Sequence, residues 1–119
     1  MPEALTVQAC MTELPFDADY FDAVVDVVSS AHNTHSEVEK IFKEIHRVLK
    51  PSGKLFSVLP TNNCSRRPFV GLGHVSYFEY CDVELLLDGD FDSVSILRSS
   101  YQLEPDCTVD NWIISATNK

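Results

Sequence analysis

Apolar positions come first in short, nearly continuous runs and then in a helical stripe. The run Phe21-Asp22-Ala23-Val24-Val25-Asp26-Val27-Val28 is dense in β-branched residues and too short for a helix. Runs of this kind belong to strands covered on both faces, as in parallel sheets. From Ser36 to Leu49 the period changes: Val38, Ile41, Phe42, Ile45, Val48 and Leu49 share one helical face. The start of this helix is doubly signalled, because Thr34 with Glu37 and Ser36 with Glu39 each have capping-box spacing. Lys43, His46, Arg47 and Lys50 crowd its far end, where cations suit the helix dipole, and Pro51 stops it.

Gly53-Lys54-Leu55-Phe56-Ser57-Val58-Leu59 predicts a second buried strand. Strand, helix and strand thus fall within about forty residues, the order and size of a βαβ crossover. Residues 60–75 are polar, rich in Pro, Asn and Gly, and predict a long loop. Ser76 with Glu79 marks another capped helix, ending near Leu87. Two strands follow, Phe91 to about Ser99 and Val109 to about Thr117, close enough for an antiparallel hairpin at the sheet edge. Near the start, Leu5-Thr6-Val7-Gln8 reads as a short strand. The class is α/β, and 119 residues make a single domain, 1–119.

Composition narrows the partners. A net charge of −9 repels phosphate backbones and anionic membrane surfaces, leaving small molecules and proteins. Cys10, Cys64, Cys81 and Cys107 form no C-x-x-C and read as reduced thiols. Neither a signal peptide nor a membrane span is expected, so the cytoplasm is the default compartment.

Two segments carry a resemblance. Leu14-Pro15-Phe16 followed by Tyr20-Phe21-Asp22-Ala23-Val24, and Glu44-Ile45-His46-Arg47-Val48-Leu49-Lys50-Pro51-Ser52-Gly53-Lys54-Leu55, resemble the L-P-F…F-D-x-V and E-x-x-R-V-L-K-P-G-G-x-L segments of class I S-adenosylmethionine-dependent methyltransferases of the small-molecule type. Ser52 stands where the first Gly of that pattern usually does. The tail, with its F-x-x-V, Ser-Tyr pair and terminal-strand Trp, is similar as well, so the resemblance spans about residues 5–117. It implies a partial Rossmann-like sheet, mainly parallel with a carboxy-terminal antiparallel hairpin and lacking the first two strands. In the family those strands carry the cofactor site: a glycine-rich turn at a helix amino terminus and an acidic residue for the ribose. Gly71-Leu72-Gly73 lies in the long loop and is no substitute.

The resemblance also assigns candidate residues. Cys10 and Met11 take the place of the adenine-contacting segment, where an Asp is usual; a thiol is a poor acceptor, and a buried small apolar role is the alternative. Asp26, Val27 and Ser29 lie at the carboxyl end of the first strand, where ligands of open α/β sheets bind. Asp26 is either a buried functional carboxylate or a solvated one. His74 is a candidate base facing the methyl acceptor, with Asn62, Asn63, Arg66 and Arg67 nearby; ordinary loop polarity is the alternative. His32 and His35 form an H-x-x-H pair without further obvious ligands, so no metal is expected.

S-adenosylmethionine is the expected cofactor of the family, while this chain alone lacks the loop to hold it. Two functions stay open: a methyltransferase that is inactive as an isolated chain, or a non-catalytic binding and assembly module on the same fold. In the family's sheet the missing first strand lies beside Asp22–Val28, so that edge is expected to be open and in need of cover. The cover is either self-association, as a two-fold dimer or by swapping Leu5–Gln8, or a partner supplying the missing amino-terminal half. Movement of Leu5–Gln8 onto the edge is the remaining possibility.

Overall fold

A computed structural model describes residues 6–63, 75–105 and 107–119, with backbone alone at 103 and 104. Among the described residues four strands and two helices are formed: β1 (Phe21–Val27), α1 (His35–Val48), β2 (Leu49–Pro60), α2 (Tyr80–Leu87), β3 (Phe91–Glu104) and β4 (Cys107–Asn118). The sheet order is β1-β2-β4-β3, so β1 and β3 are its edges. It is mixed: β1 runs parallel to β2, while β4 is antiparallel to both β2 and β3. The expected α/β class and terminal hairpin are therefore present. Among the described residues no helix is long and apolar enough to cross a membrane.

The helix α1 begins one residue earlier than expected, and only one of the two capping signals is used. Thr34 Oγ1 accepts from the Glu37 amide while Glu37 Oε1 accepts from the Thr34 amide at 3.1 Å. Its apolar stripe is buried as the spacing predicts, with Val38, Ile41, Phe42, Ile45 and Val48 facing the sheet. At the other end the side-chain amide of Asn118 donates to the carbonyls of His46 (3.1 Å) and Leu49 (3.0 Å), closing the helix from the last strand. Pro51 already belongs to β2, because Leu49 pairs with Phe21 before an irregularity that passes through Ser52 at φ 67°.

Two further expectations need correction. The second helix starts at Tyr80 rather than near Ser76, with Glu79 and Asp82 making the reciprocal box. Phe78 is drawn into an extended bridge with Thr61, donating its N–H to the Pro60 carbonyl, and that pairing excludes helix there. Ser76 instead donates its hydroxyl to the Asn33 carbonyl at 2.5 Å. Residues 6–9 form no strand, and Leu5 lies outside the described residues; so this part of the segment does not cover the β1 edge.

Both helices feed one core. Ile41 and Phe42 from α1, Val83 and Leu87 from α2, Leu55 and Leu59 from β2, and Ile114 and Ala116 from β4 form a single buried cluster. Residues of opposite parity on the strands face the other way. Val27, Val58, Ile113 and Leu97 lie side by side across the four strands on that second face. Val27 is 58% exposed, Leu97 63%, and Val25 in the next row 68%. The sheet thus has one helix-covered face and a second, outer face that is exposed at Val25, Val27 and Leu97 but buried at Val58 and Val109.

Candidate functional site

The carboxyl ends of β1 and β2 are where this topology gathers candidate chemistry. At the end of β1 the chain turns sharply: Val28 sits at φ 64°, a rare conformation for a β-branched residue, and leads into a 3-10 turn over Ser29–His32. Asp26 holds this turn. Its carboxylate is buried and accepts from the Ser30 amide at 3.0 Å, the Ser30 hydroxyl at 2.5 Å and the Ser57 hydroxyl of β2 at 3.0 Å. Of the two alternatives for Asp26, the structure takes the buried one. Three neutral donors, rather than a cation, compensate its loss of water.

A second buried carboxylate sits where β2, β3 and β4 meet. Asp110 is 1% exposed and receives Arg98 through Nε at 2.9 Å and Nη2 at 2.7 Å, plus the Thr61 hydroxyl at 2.9 Å. The Arg98 hydrogen bonds hold its carboxyl below the usual carboxylate range; burial opposes this and Thr61 assists. The Trp112 indole donates to the Phe78 carbonyl at 2.8 Å, so both ends of the 62–77 connection are pinned to β4. Sequence reasoning missed this cluster. An Arg and an Asp on consecutive strands were visible, but their contact depends on a register that places Ser100, not Arg98, opposite Asp110.

The other candidates are dispersed. Cys10 is exposed, its Sγ 3.0 Å from Thr12 Oγ1, and that hydrogen bond lowers its thiol pKa. It is therefore not the buried apolar residue offered as the alternative. Met11 is half-buried against the core, whereas Ser29 is exposed in the 3-10 turn. Val27 points onto the outer face. His35 stacks on Phe78 at a centroid distance of 4.5 Å and hydrogen-bonds the Tyr77 carbonyl at 2.8 Å, a packing role. Among the described residues no group of three or more His, Cys, Asp or Glu is placed to hold a metal. Asn62 and Asn63 are exposed; His74, Arg66, Arg67 and the Gly71–Gly73 pair lie outside the described residues.

Both Asp26 oxygens are occupied within the protein, Cys10 offers a solvated thiol, and Val27 faces away from Ser30. Three described clefts lie between α1 and α2, between α2 and β3, and on the outer face. None of these three is lined by Cys10, Met11, Asp26, Val27 or Ser29.

The family-like segments have a different role: they clamp one another. Arg47 donates to the carbonyls of Phe16 (2.8 Å) and Leu14 (2.9 Å), and Glu44 accepts from the Leu14 amide at 2.9 Å and from Arg47 Nε at 2.7 Å. The Glu44 carboxyl is held below its usual range by Arg47. A Cβ on Gly53 would lie 2.8 Å from the Lys50 carbonyl oxygen and 3.1 Å from that of Asp22, so only glycine lets β2 approach β1 there.

Comparison with known proteins agrees. Residues 2–57 match the family model described as "Methyltransferase domain". The demethylmenaquinone methyltransferase of Clavibacter sepedonicus is 33% identical over 117 residues, covering 92% of this chain and 44% of that protein. The ubiquinone/menaquinone biosynthesis C-methyltransferase of Chromobacterium violaceum is 34% identical over 94 residues, covering 79% and 37%. The chain thus spans less than half the length of these curated relatives. Among solved structures, phosphoethanolamine N-methyltransferase 2 of Haemonchus contortus, in complex with phosphomonomethylethanolamine and S-adenosylhomocysteine, superposes with a TM-score of 0.70 at 13% identity, over 92% of this chain and 36% of that one. Fold, clamped segments and relatives together show that the chain belongs to the class I methyltransferase family.

Proposed function

We propose that this chain is a methyltransferase-family protein that does not bind S-adenosylmethionine or transfer a methyl group by itself. The observation that carries this reading is Asp26. The one carboxylate at the β1 carboxyl end that resemblance offered to the cofactor is buried and spends both oxygens on Ser30 and Ser57. What the chain contributes is a rigid floor: Asp26 fixes the turn after β1, and Asp110 with Thr61 fixes the start of the connection after β2. Methyl transfer from an activated sulfonium depends mainly on positioning, so such a floor serves the reaction once a cofactor-holding half is joined to it. The relatives' names indicate the acceptor to try first, a demethylmenaquinone.

Calorimetry tests this. The chain alone is expected to give no binding heat at millimolar S-adenosylmethionine. Saturable binding by the isolated chain would overturn the reading. The alternative, a non-catalytic binding or assembly module, is favoured by the solvated Cys10 thiol where an acidic residue is usual. It predicts no methyl transfer to demethylmenaquinone even after a cofactor-binding half is supplied.

A further inference from the structure

β3 is an edge of the sheet, and over most of its length it lacks the features that keep edge strands from pairing. Its ladder with β4 runs without a register change from Ser95 to Gln102, between irregularities at Asp92–Ser95 and Gln102–Glu104. This stretch holds no Pro, and Arg98 is its one charged residue. The Arg98 guanidinium is turned onto Asp110 at 2.7 Å, and Asp92, just before the stretch, is met by Lys119 at 3.7 Å. The edge is therefore close to neutral in a chain of net charge −9. The direction of its free backbone groups follows from β4. The Asp110 carbonyl accepts from Thr61, after β2, so by alternation Val109 and Asn111 bond their β3 partners, Tyr101 and Ser99. The N–H and C=O groups of Ile96, Arg98, Ser100 and Gln102 then point out of the edge.

A second copy of the chain matches this edge. With a two-fold axis at Ser99, antiparallel pairing sets Arg98 opposite Ser100 of the copy, Ile96 opposite Gln102, and Leu97 opposite Tyr101. No like charges face each other in this register. Leu97 (63% exposed) and Tyr101 (51%) cover each other twice, in non-hydrogen-bonded pairs where side chains approach most closely. An open groove between α2 and β3, lined by Tyr80, Val94 and Ile96, leaves the helix side of the edge clear. At about 0.15 M salt, exposed charges more than about 8 Å apart are largely screened, so acidic residues on other elements oppose the contact only weakly. We propose that the chain forms a two-fold dimer through β3, joining two sheets into one continuous sheet. So short a pairing makes a weak dimer, with a dissociation constant on the order of 100 µM.

Sedimentation velocity of the full chain is expected to show a reversible dimer whose share rises between about 10 µM and about 1 mM. Ser99, exposed and facing its own copy across the axis, tests the register. Ser99→Lys and Ser99→Glu, each unfolding at the wild-type urea concentration, are expected to weaken the dimer at least about fivefold. Mixing the two variants should restore it as a heterodimer, while Val25→Lys on the β1 edge should leave it unchanged. Amide exchange needs no variant: Arg98 and Ser100 should gain protection as chain concentration rises. A monomer at about 1 mM, a dimer indifferent to both Ser99 variants, or one that Val25→Lys breaks would overturn the proposal. So would a dimer in which the Arg98 and Ser100 amides exchange as fast as in the monomer.

Discussion

The two faces of the sheet have different fates. On one, Leu55, Leu59, Ile114 and Ala116 meet α1 and α2 and are at most 4% exposed. On the other, Val25, Val27, Phe56 and Leu97 are at least 40% exposed, although Val58 and Val109 on the same face are buried. Among the described residues only one face has helices to receive it, and the outer face also carries Lys54, Ser95, Ser115 and Thr117 among its apolar residues. Stability should therefore come from the covered face.

The sharpest way to break that comparison is a matched pair of truncations. Phe42→Ala, on the covered side and 1% exposed, should lower unfolding free energy by about 4 kcal/mol. Leu97→Ser on the outer face should change it by less than about 0.5 kcal/mol. Urea titration reads both, and equal losses would mean that the outer face is buried in solution.

The next effect concerns the anchor at the carboxyl strand ends. Asp110→Asn should cost about 2–3 kcal/mol, because Arg98 loses its charged partner and the second oxygen that accepts its Nη2. The pH dependence has a definite sign. The Asp110 carboxyl is depressed in the folded state, so its contribution is present above the unfolded value of about 4 and is lost as pH falls through the lower folded one. Wild type should therefore lose stability more steeply than Asp110→Asn below about pH 4; parallel curves would show that Asp110 is not preferentially ionised in the fold. Glu44, also depressed, sets a background common to both proteins.

A smaller effect tests the clamp that carries the family resemblance. Arg47→Met should cost about 1–2 kcal/mol, since the Leu14 and Phe16 carbonyls and Glu44 all lose a donor. Limited proteolysis should then cut between residues 12 and 20 before any site in α1. The smallest change is a gain. Ser52 sits at φ 67°, so Ser52→Gly relieves left-handed strain at the β1–β2 junction and should stabilise by about 0.5 kcal/mol, net of glycine's entropy cost. A loss in thermal midpoint would show that the serine side chain has a role there.

The sequence was most legible where several local signals agreed. A stripe, a capping box and a proline bracketed α1 to within a residue at each end. It was least legible where a tertiary partner overrode a local signal. Ser76–Glu79 and Glu79–Asp82 have the same spacing, and the strand contact of Phe78 with Thr61 selects the second. For Asp26 the apolar run around it fitted both burial and solvation, and the deciding hydroxyl belongs to Ser57, 31 residues away. The outer face could not be read from alternation, because β1 is apolar at Val24 and Val25 alike. The E-x-x-R and glycine motifs gave the family correctly, yet in space they join β1, α1 and β2 rather than line a cofactor site.

Residue-resolved amide exchange along β1 tests the central claim most directly. If the outer edge of β1 is open, the amides of Ala23, Val25 and Val27 should exchange at least about a hundredfold faster than those of Val24, Asp26 and Val28, which face β2. Uniform protection of all six in the isolated chain would contradict it, because the edge would then already be paired.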